Sequence, residues 1–161
     1  MKLSTILVLL DGSDVAEAAL TPAVELARTA GAKVVLLRAG EAHTGPLTDP
    51  VEAQVHVMRE AEEYLTAAQA RVKGAGVADV EVSAWYGPPA EAIVEAARHR
   101  KADLIVMSSH GRSGVARLVL GSVAESVLRA TAVPILLIRA AGAPLDMPFM
   151  GGSRAKEVSR V

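Results

Sequence analysis

The chain is punctuated by short runs with almost no polar residue: "TILVLL" at 5–10, "KVVLLRA" at 33–39, "ADLIVM" at 102–107 and "VPILLI" at 133–138. Such runs mark strands covered on both faces, because a strand open to water on one side alternates apolar and polar residues. A doubly covered strand needs helices above and below it, and the segments between the runs supply them. Residues 14–30 carry Leu20, Val24 and Ala27 at helical spacing and stop at Gly31, with Asp14 expected at the cap and Glu17 three residues on. Glycine and proline break residues 40–50 into a loop. A long amphipathic helix is then expected over 51–73, with Val51, Val55, Met58, Leu65, Ala68 and Val72 near one face. "VEVSAW" at 80–85 alternates and reads as a strand with one less buried face. "GPPAEAIVEAARHRK" at 87–101 is a helix with prolines at its start, and "SVAESVLRAT" at 122–131 is the last helix.

The resulting order, strand and helix in strict alternation from first strand to fifth, argues for a parallel sheet wrapped by helices on both faces. The third strand alternates, and the fifth carries Pro134, which cannot donate to a ladder and is tolerated at a strand start or a sheet edge. Both features fit an α/β, doubly wound, five-stranded parallel sheet of order 3-2-1-4-5. In that order the chain reverses direction between strands one and four, and a crevice opens at their carboxyl ends. The loops flanking it are "DGSD" at 11–14 and "SSHGRSG" at 108–114.

Composition narrows what the crevice holds. With 161 residues, 51% of them apolar, the chain fits one domain with a substantial core. A net charge of −1, with acids and bases interspersed, offers no basic face for nucleic acid. The absence of cysteine excludes a disulfide framework and a thiolate metal site, and the histidines at 43, 56, 99 and 110 lack metal-ligand spacing. No apolar run approaches the roughly 20 residues of a membrane span, and the N-terminus lacks a cleavage signal. A cytoplasmic protein without membrane contact is expected. Neither a phosphate-binding loop of the G-K-[S/T] type nor a G-x-S-x-G nucleophile turn occurs.

The segment "SSHGRSGVARLVLGSVAES" at 108–126 carries the chemistry. Gly111 and Gly114 allow the backbone to approach a ligand, or serve simply as turn residues. Gly121 and Ser122 open the last helix, whose first N–H groups and positive dipole end suit an anion. The Ser122 hydroxyl either caps that helix or donates to a phosphate oxygen. Arg112, Arg117 and His110 are donors within the loop, with solvated loop charges as the plainer reading of the arginines. Across the crevice, Asp11 is a ligand contact or a turn residue after the first strand. The simplest ligand combining an anionic tail with a crevice-sized apolar body is a nucleotide.

These residues resemble the universal stress protein family, whose ATP-binding members carry G-x2-G-x9-G-[S/T] after the fourth strand and an aspartate after the first. The matching positions are Ser108, Gly111, Gly121 and Ser122, with Asp11 as the aspartate. The resemblance runs over residues 2–139, so that 1–140 is expected to be one domain and 141–161 a mobile tail. It implies ATP as the ligand, with Mg2+ as an optional companion. By position it implies that Asp11 and Ala39 flank the adenosine, that Met107 lies near it, and that Gly111, Arg112, Gly121 and Ser122 line the phosphates. Ser108 departs from the pattern by standing where the first glycine belongs: its side chain either crowds the phosphate path or adds a hydrogen bond.

Two functions follow. One is a stress-response protein that binds ATP and at most hydrolyses it slowly, since no carboxylate is clearly set to activate water. The alternative is a dimeric adaptor of the same family without useful nucleotide affinity, the reading Ser108 keeps open. An enzyme is conceivable on fold analogy alone. A homodimer is expected through 133–138, where an apolar strand lies at a sheet edge and invites a second copy of itself. The resemblance implies the same pairing.

Overall fold

In the computed structural model, which describes residues 2–42, 49–109 and 120–139, the apolar runs become strands of one sheet. These are β1 (Thr5–Leu9), β2 (Lys33–Gly40), β3 (Val80–Tyr86), β4 (Leu104–Ser108) and β5 (Ile135–Ile138), in the order β3-β2-β1-β4-β5. Every neighbouring pair is parallel, as the sequence led us to expect. The register puts Leu7 between Val35 and Ile105, and Val8 between Leu36 and Val106. The proposed domain limits and the 141–161 tail concern residues outside those described.

Period-two alternation sends successive side chains to opposite faces, and each face has its own core. Ile6, Val8, Leu36 and Val106 pack against α2 (Leu20–Ala30) and α3 (Pro50–Gly74), through Ala23, Ala27, Leu65, Ala68 and Val72. Leu7, Val35, Leu37 and Ile105 pack against α4 (Pro89–His99) and α5 (Ser122–Ala130), through Ile93, Ala96, Ala97 and Val127. Alanines on the helix faces let the helices lie close on a sheet of larger aliphatic residues. Each fully buried Leu, Ile or Val contributes about 1.5–3 kcal/mol. At the foot of the sheet the Asp103 carboxylate accepts the backbone N–H groups of Ser4 (2.7 Å) and Thr5 (2.9 Å), fixing the start of β1 beside β4.

The first helical segment departs from the expected single helix at 14–30. It is two helices, α1 (Asp14–Glu17) and α2, joined through Ala18 and Ala19. Pro22 is the cause: inside a continuous helix it would leave the Ala18 carbonyl without a donor and press its ring against it. In the first turn of α2 its missing N–H costs nothing. The cap also differs, since Ser13 and not Asp14 holds the N-cap position and accepts the Ala16 N–H at 3.2 Å. Gly31 ends α2 in the left-handed region, with φ of 64°.

Helix α3 begins at Pro50, capped by Asp49, whose side chain accepts the Val51 N–H at 2.8 Å. Its 25 residues extend about 37 Å, whereas the eight of β2 extend about 26 Å. The helix therefore overhangs the sheet. Val51 and Val55, expected on the core-facing side, are 68% and 50% exposed, while Leu65, Ala68 and Val72 are buried. The overhang stands at the carboxyl ends of the strands and becomes a wall there.

Candidate functional site

Strand β1 runs out at Leu10 and Asp11, and the chain turns sharply through Gly12, whose φ of 84° lies in the region that favours glycine. Asp11 fixes this turn: its Oδ1 accepts both the N–H (2.9 Å) and the hydroxyl (2.5 Å) of Ser13. Strand β4 ends at Ser108, and the next residue reaches both neighbours, because the Ser109 N–H donates to Ile138 O and the Ser109 carbonyl accepts the Gly121 N–H, each at 2.9 Å. That second bond draws the start of α5 to the end of β4. The ends of β1 and β4 diverge here, as the strand order requires.

A cavity of about 550 Å³ occupies the divergence. Its wall contains Asp11 from β1, Ala39 from β2, Met107 and Ser108 from β4, and Gly121 and Ser122 at the start of α5. Six of the eight residues singled out in the sequence are thus brought together. The other two, Gly111 and Arg112, lie outside the described residues, as do His110, Gly114 and Arg117.

The geometry bears on two of the sequence alternatives. Asp11 serves as a turn residue and also lines the cavity. Ser122 does not cap α5: Gly121 is the N-cap residue and Ser122 the first helical position. Gly121 has φ of −57° and ψ of 147°, a conformation open to any residue, so its conformation does not require glycine.

The wall also holds groups that sequence reasoning missed, chiefly Arg38 and Glu60. Arg38 lies on the same face of β2 as Val34 and Leu36, at the end beneath the overhang of α3. A charge on the core-facing side of an otherwise apolar central strand was the available signal. Its guanidinium pairs with Glu60 at 2.7 Å and sits 5.2 Å from the centre of the Tyr64 ring, a cation–π arrangement. A Cβ on Gly12 would come within 3.4 Å of that guanidinium, so the turn after β1 and the end of β2 pack tightly.

Tyr64 links this cluster to α1. Its hydroxyl donates to Glu17 Oε1 at 2.8 Å, and Arg71 grips both oxygens of the same carboxylate at 2.8 Å each. The Arg71 hydrogen bond, outweighing burial and helped by Tyr64, holds the Glu17 carboxyl below its ordinary range. Burial, and then the hydrogen bond to that carboxylate, pushes the Tyr64 phenol up. A helix of four residues is thereby tied to α3 through one side chain.

The cavity is chemically two-ended. Under α3, the carboxylates of Asp11, Glu41 and Glu60 outnumber the one guanidinium of Arg38 in the described lining. At the other end, Ser109 and Ser122 lie beside the first turn of α5, where N–H groups have no intrahelical partner, and Ser108 lines the wall from the strand end. Apolar side chains, among them Leu9, Ile93 and Met107, lie between. Among the described residues, no group of three or more His, Asp or Glu side chains could hold a metal ion.

The profile of the universal stress protein family matches residues 2–139. The chain belongs to the universal stress protein family. A universal stress protein of Thermus aquaticus is 37% identical over 137 residues, spanning 84% of this chain and 98% of that one. Among solved structures, a universal stress protein in complex with cAMP superposes with a TM-score of 0.69 at 28% identity, over 88% of this chain and all of the other. One from Archaeoglobus fulgidus in complex with dAMP gives 0.61 at 26%, over 85% and 98%. The fold of this family member is therefore that of its relatives across the whole matched span.

Proposed function

We propose that this universal stress protein binds ATP in the cavity at the carboxyl ends of β1 and β4, and that it works by holding the nucleotide rather than by turning it over. One observation carries the reading: the cavity joins Asp11 to the β4–α5 junction, where Ser108, Gly121 and Ser122 meet the start of a helix. A volume of about 550 Å³ falls in the range of small-molecule sites. Complexes of two similar proteins with cAMP and dAMP support an adenine nucleotide as the ligand class.

The two-ended chemistry orients the ligand. Phosphates are repelled by the carboxylates under α3 and attracted to the N–H groups and dipole of α5. Adenosine accordingly lies by Asp11 and Ala39 with Met107 near it, while Ser108, Gly111, Arg112, Gly121 and Ser122 line the phosphates. Mg2+, where present, travels with the phosphates. Binding without efficient turnover is supported by the fixed role of Asp11, whose Oδ1 is committed to Ser13. Thermal melting tests the reading. ATP at a hundred times its Kd adds about 2.7 kcal/mol, a rise of roughly 5–11 °C for a domain of this size. No rise up to millimolar ATP favours the dimeric adaptor that Ser108 keeps in view.

The second element of the proposal is a homodimer through 133–138. Strand β5 pairs only with β4 among the described strands. Leu136 and Ile138 pack on one core and Ile135 on the other, whereas Leu137 is 37% exposed. An apolar edge of this kind is satisfied by the same strand of a second copy around a two-fold axis.

A further inference from the structure

Arg38 stands near the end of β2, on the face of Val34 and Leu36, and its side chain is only 12% exposed. On the α3 side its guanidinium is held by the Glu60 carboxylate at 2.7 Å and by the Tyr64 ring, whose centre lies 5.2 Å away. On the other side it meets Gly12: a Cβ added there would lie 3.4 Å from Cζ, 3.4 Å from Nη1 and 3.5 Å from Nη2. Three such similar distances mean that the flat face of the guanidinium, and not its edge, is turned to the glycine.

Stability alone does not account for an arginine here. An aliphatic side chain would continue the row of Val34 and Leu36, and exchanging a part-buried ion pair for packed apolar atoms is commonly neutral or stabilising. Its removal strands no buried charge, because Glu60 is 55% exposed and stays hydrated. What an aliphatic residue cannot do is present a rigid plane to a backbone while it is anchored by charge from behind.

The backbone so contacted is the one that sets Asp11. Gly12 has φ of 84° and no side chain of its own to fix it there. Asp11 precedes it, closes the same turn through Ser13, and lines the cavity. A flat group laid against Gly12 limits how that turn can relax, and with it the direction of the Asp11 carboxylate.

We infer that Arg38 is a positioning residue: braced on α3 by Glu60 and Tyr64, its guanidinium holds the Gly12 turn so that Asp11 keeps the orientation in which it meets the ligand. This rests on the reading of the cavity as a nucleotide site with adenosine beside Asp11. Arg38 acts on affinity through Asp11 and not by touching the nucleotide.

The test is a double-mutant cycle. ATP is titrated calorimetrically into nucleotide-free wild type, Arg38→Met, Asp11→Asn and the double variant, and into Arg38→Lys, with the melting temperature of each ligand-free protein. Arg38→Met is expected to melt within about 2 °C of wild type and to bind ATP about five- to tenfold more weakly. In the Asp11→Asn background the same substitution is expected to change affinity less than about twofold, because the carboxylate that Arg38 positions is already gone. Arg38→Lys keeps the charge without the plane and is expected to bind as weakly as Arg38→Met. Arg38→Gln supplies the same comparison if the methionine variant does not fold. Wild type that binds ATP while the folded Arg38 variant binds it equally tightly overturns the inference and leaves the nucleotide site standing. Losses that add across the two positions also overturn it, since they mark an independent contact or a general loosening. Full affinity in Arg38→Lys does the same, because charge alone is then sufficient. Wild type that binds no ATP overturns both.

Discussion

The Tyr64 hydroxyl donates to Glu17 Oε1 at 2.8 Å, tying the four-residue helix α1 to the middle of α3. Arg71 completes the clamp from two turns further along α3. The ion pair is half exposed on the arginine side, and its contribution to stability is modest, under about 1 kcal/mol after solvent screening. Its larger effect is positional, because α1 follows directly from the turn that Asp11 makes. Glu17→Ala is expected to lower ATP affinity about three- to tenfold, an estimate for losing a held geometry rather than a direct contact. The expected fall in melting temperature is only a few degrees. Titration calorimetry and thermal melting on the same preparation check this pair of outcomes.

Acid sensitivity follows from the same clamp. Glu17 titrates below its ordinary 4.5 because Arg71 and Tyr64 bond to its ionised form. Asp103 titrates below its ordinary 3.8 because Ser4 and Thr5 donate to it. A carboxyl depressed in the folded state contributes stability that is present above its unfolded value and lost as pH falls through the folded value. The melting temperature should therefore fall as pH drops below about 4.5, and Glu17→Gln should flatten the upper part of that fall. An acid limb identical in Glu17→Gln and wild type would contradict the assignment.

Asp11 has two tasks that substitution can separate. Asn keeps an oxygen for the Ser13 N–H and hydroxyl but removes the charge, so Asp11→Asn should melt within about 1–2 °C of wild type while binding ATP less tightly. Asp11→Ala loses the turn bonds as well, and should cost about 1 kcal/mol of stability. Comparing the two by denaturant melts and nucleotide titration checks the division.

The sheet was legible in the sequence because nothing competed with its signal. Runs such as "TILVLL" and "ADLIVM" fit a doubly covered strand, and the alternating "VEVSAW" together with Pro134 fixed the two edges. The helices were less legible, since periodicity says which residues share a face but not how far the face is covered. Val51 and Val55 continue the apolar stripe of α3 yet lie beyond the end of the sheet. Pro22 was overlooked because the apolar spacing through Leu20, Val24 and Ala27 survives the break that the proline causes. At the site, Asp11, Ser108, Gly121 and Ser122 could be read because motif spacing carries them. Arg38 and Glu60 lie 22 residues apart and meet only when α3 folds over β2, a tertiary contact with no local signature.

The edge strand yields a test of assembly. Leu137 is the most exposed member of β5, while its neighbours Leu136 and Ile138 pack inward. Leu137→Lys should thus shift a dimer toward monomer with little loss of fold, whereas Leu136→Lys should destabilise the protomer itself. Sedimentation velocity at tens of micromolar distinguishes the two. A monomeric wild type at that concentration would contradict the proposed pairing.

Equilibrium titration of ATP into nucleotide-free wild type and Gly121→Val tests the central claim most directly. The backbone conformation at Gly121 is one open to a residue with a side chain. The variant's isopropyl group would stand at the N-cap of α5, where the phosphates are proposed to lie. The account predicts one saturable ATP site per wild-type chain and a loss of affinity of at least about tenfold in the variant, with the ligand-free variant melting only about 2–4 °C lower, the cost of a poorer N-cap residue. Absence of saturable binding to wild type up to millimolar ATP, or equal affinity in the two proteins, would contradict it.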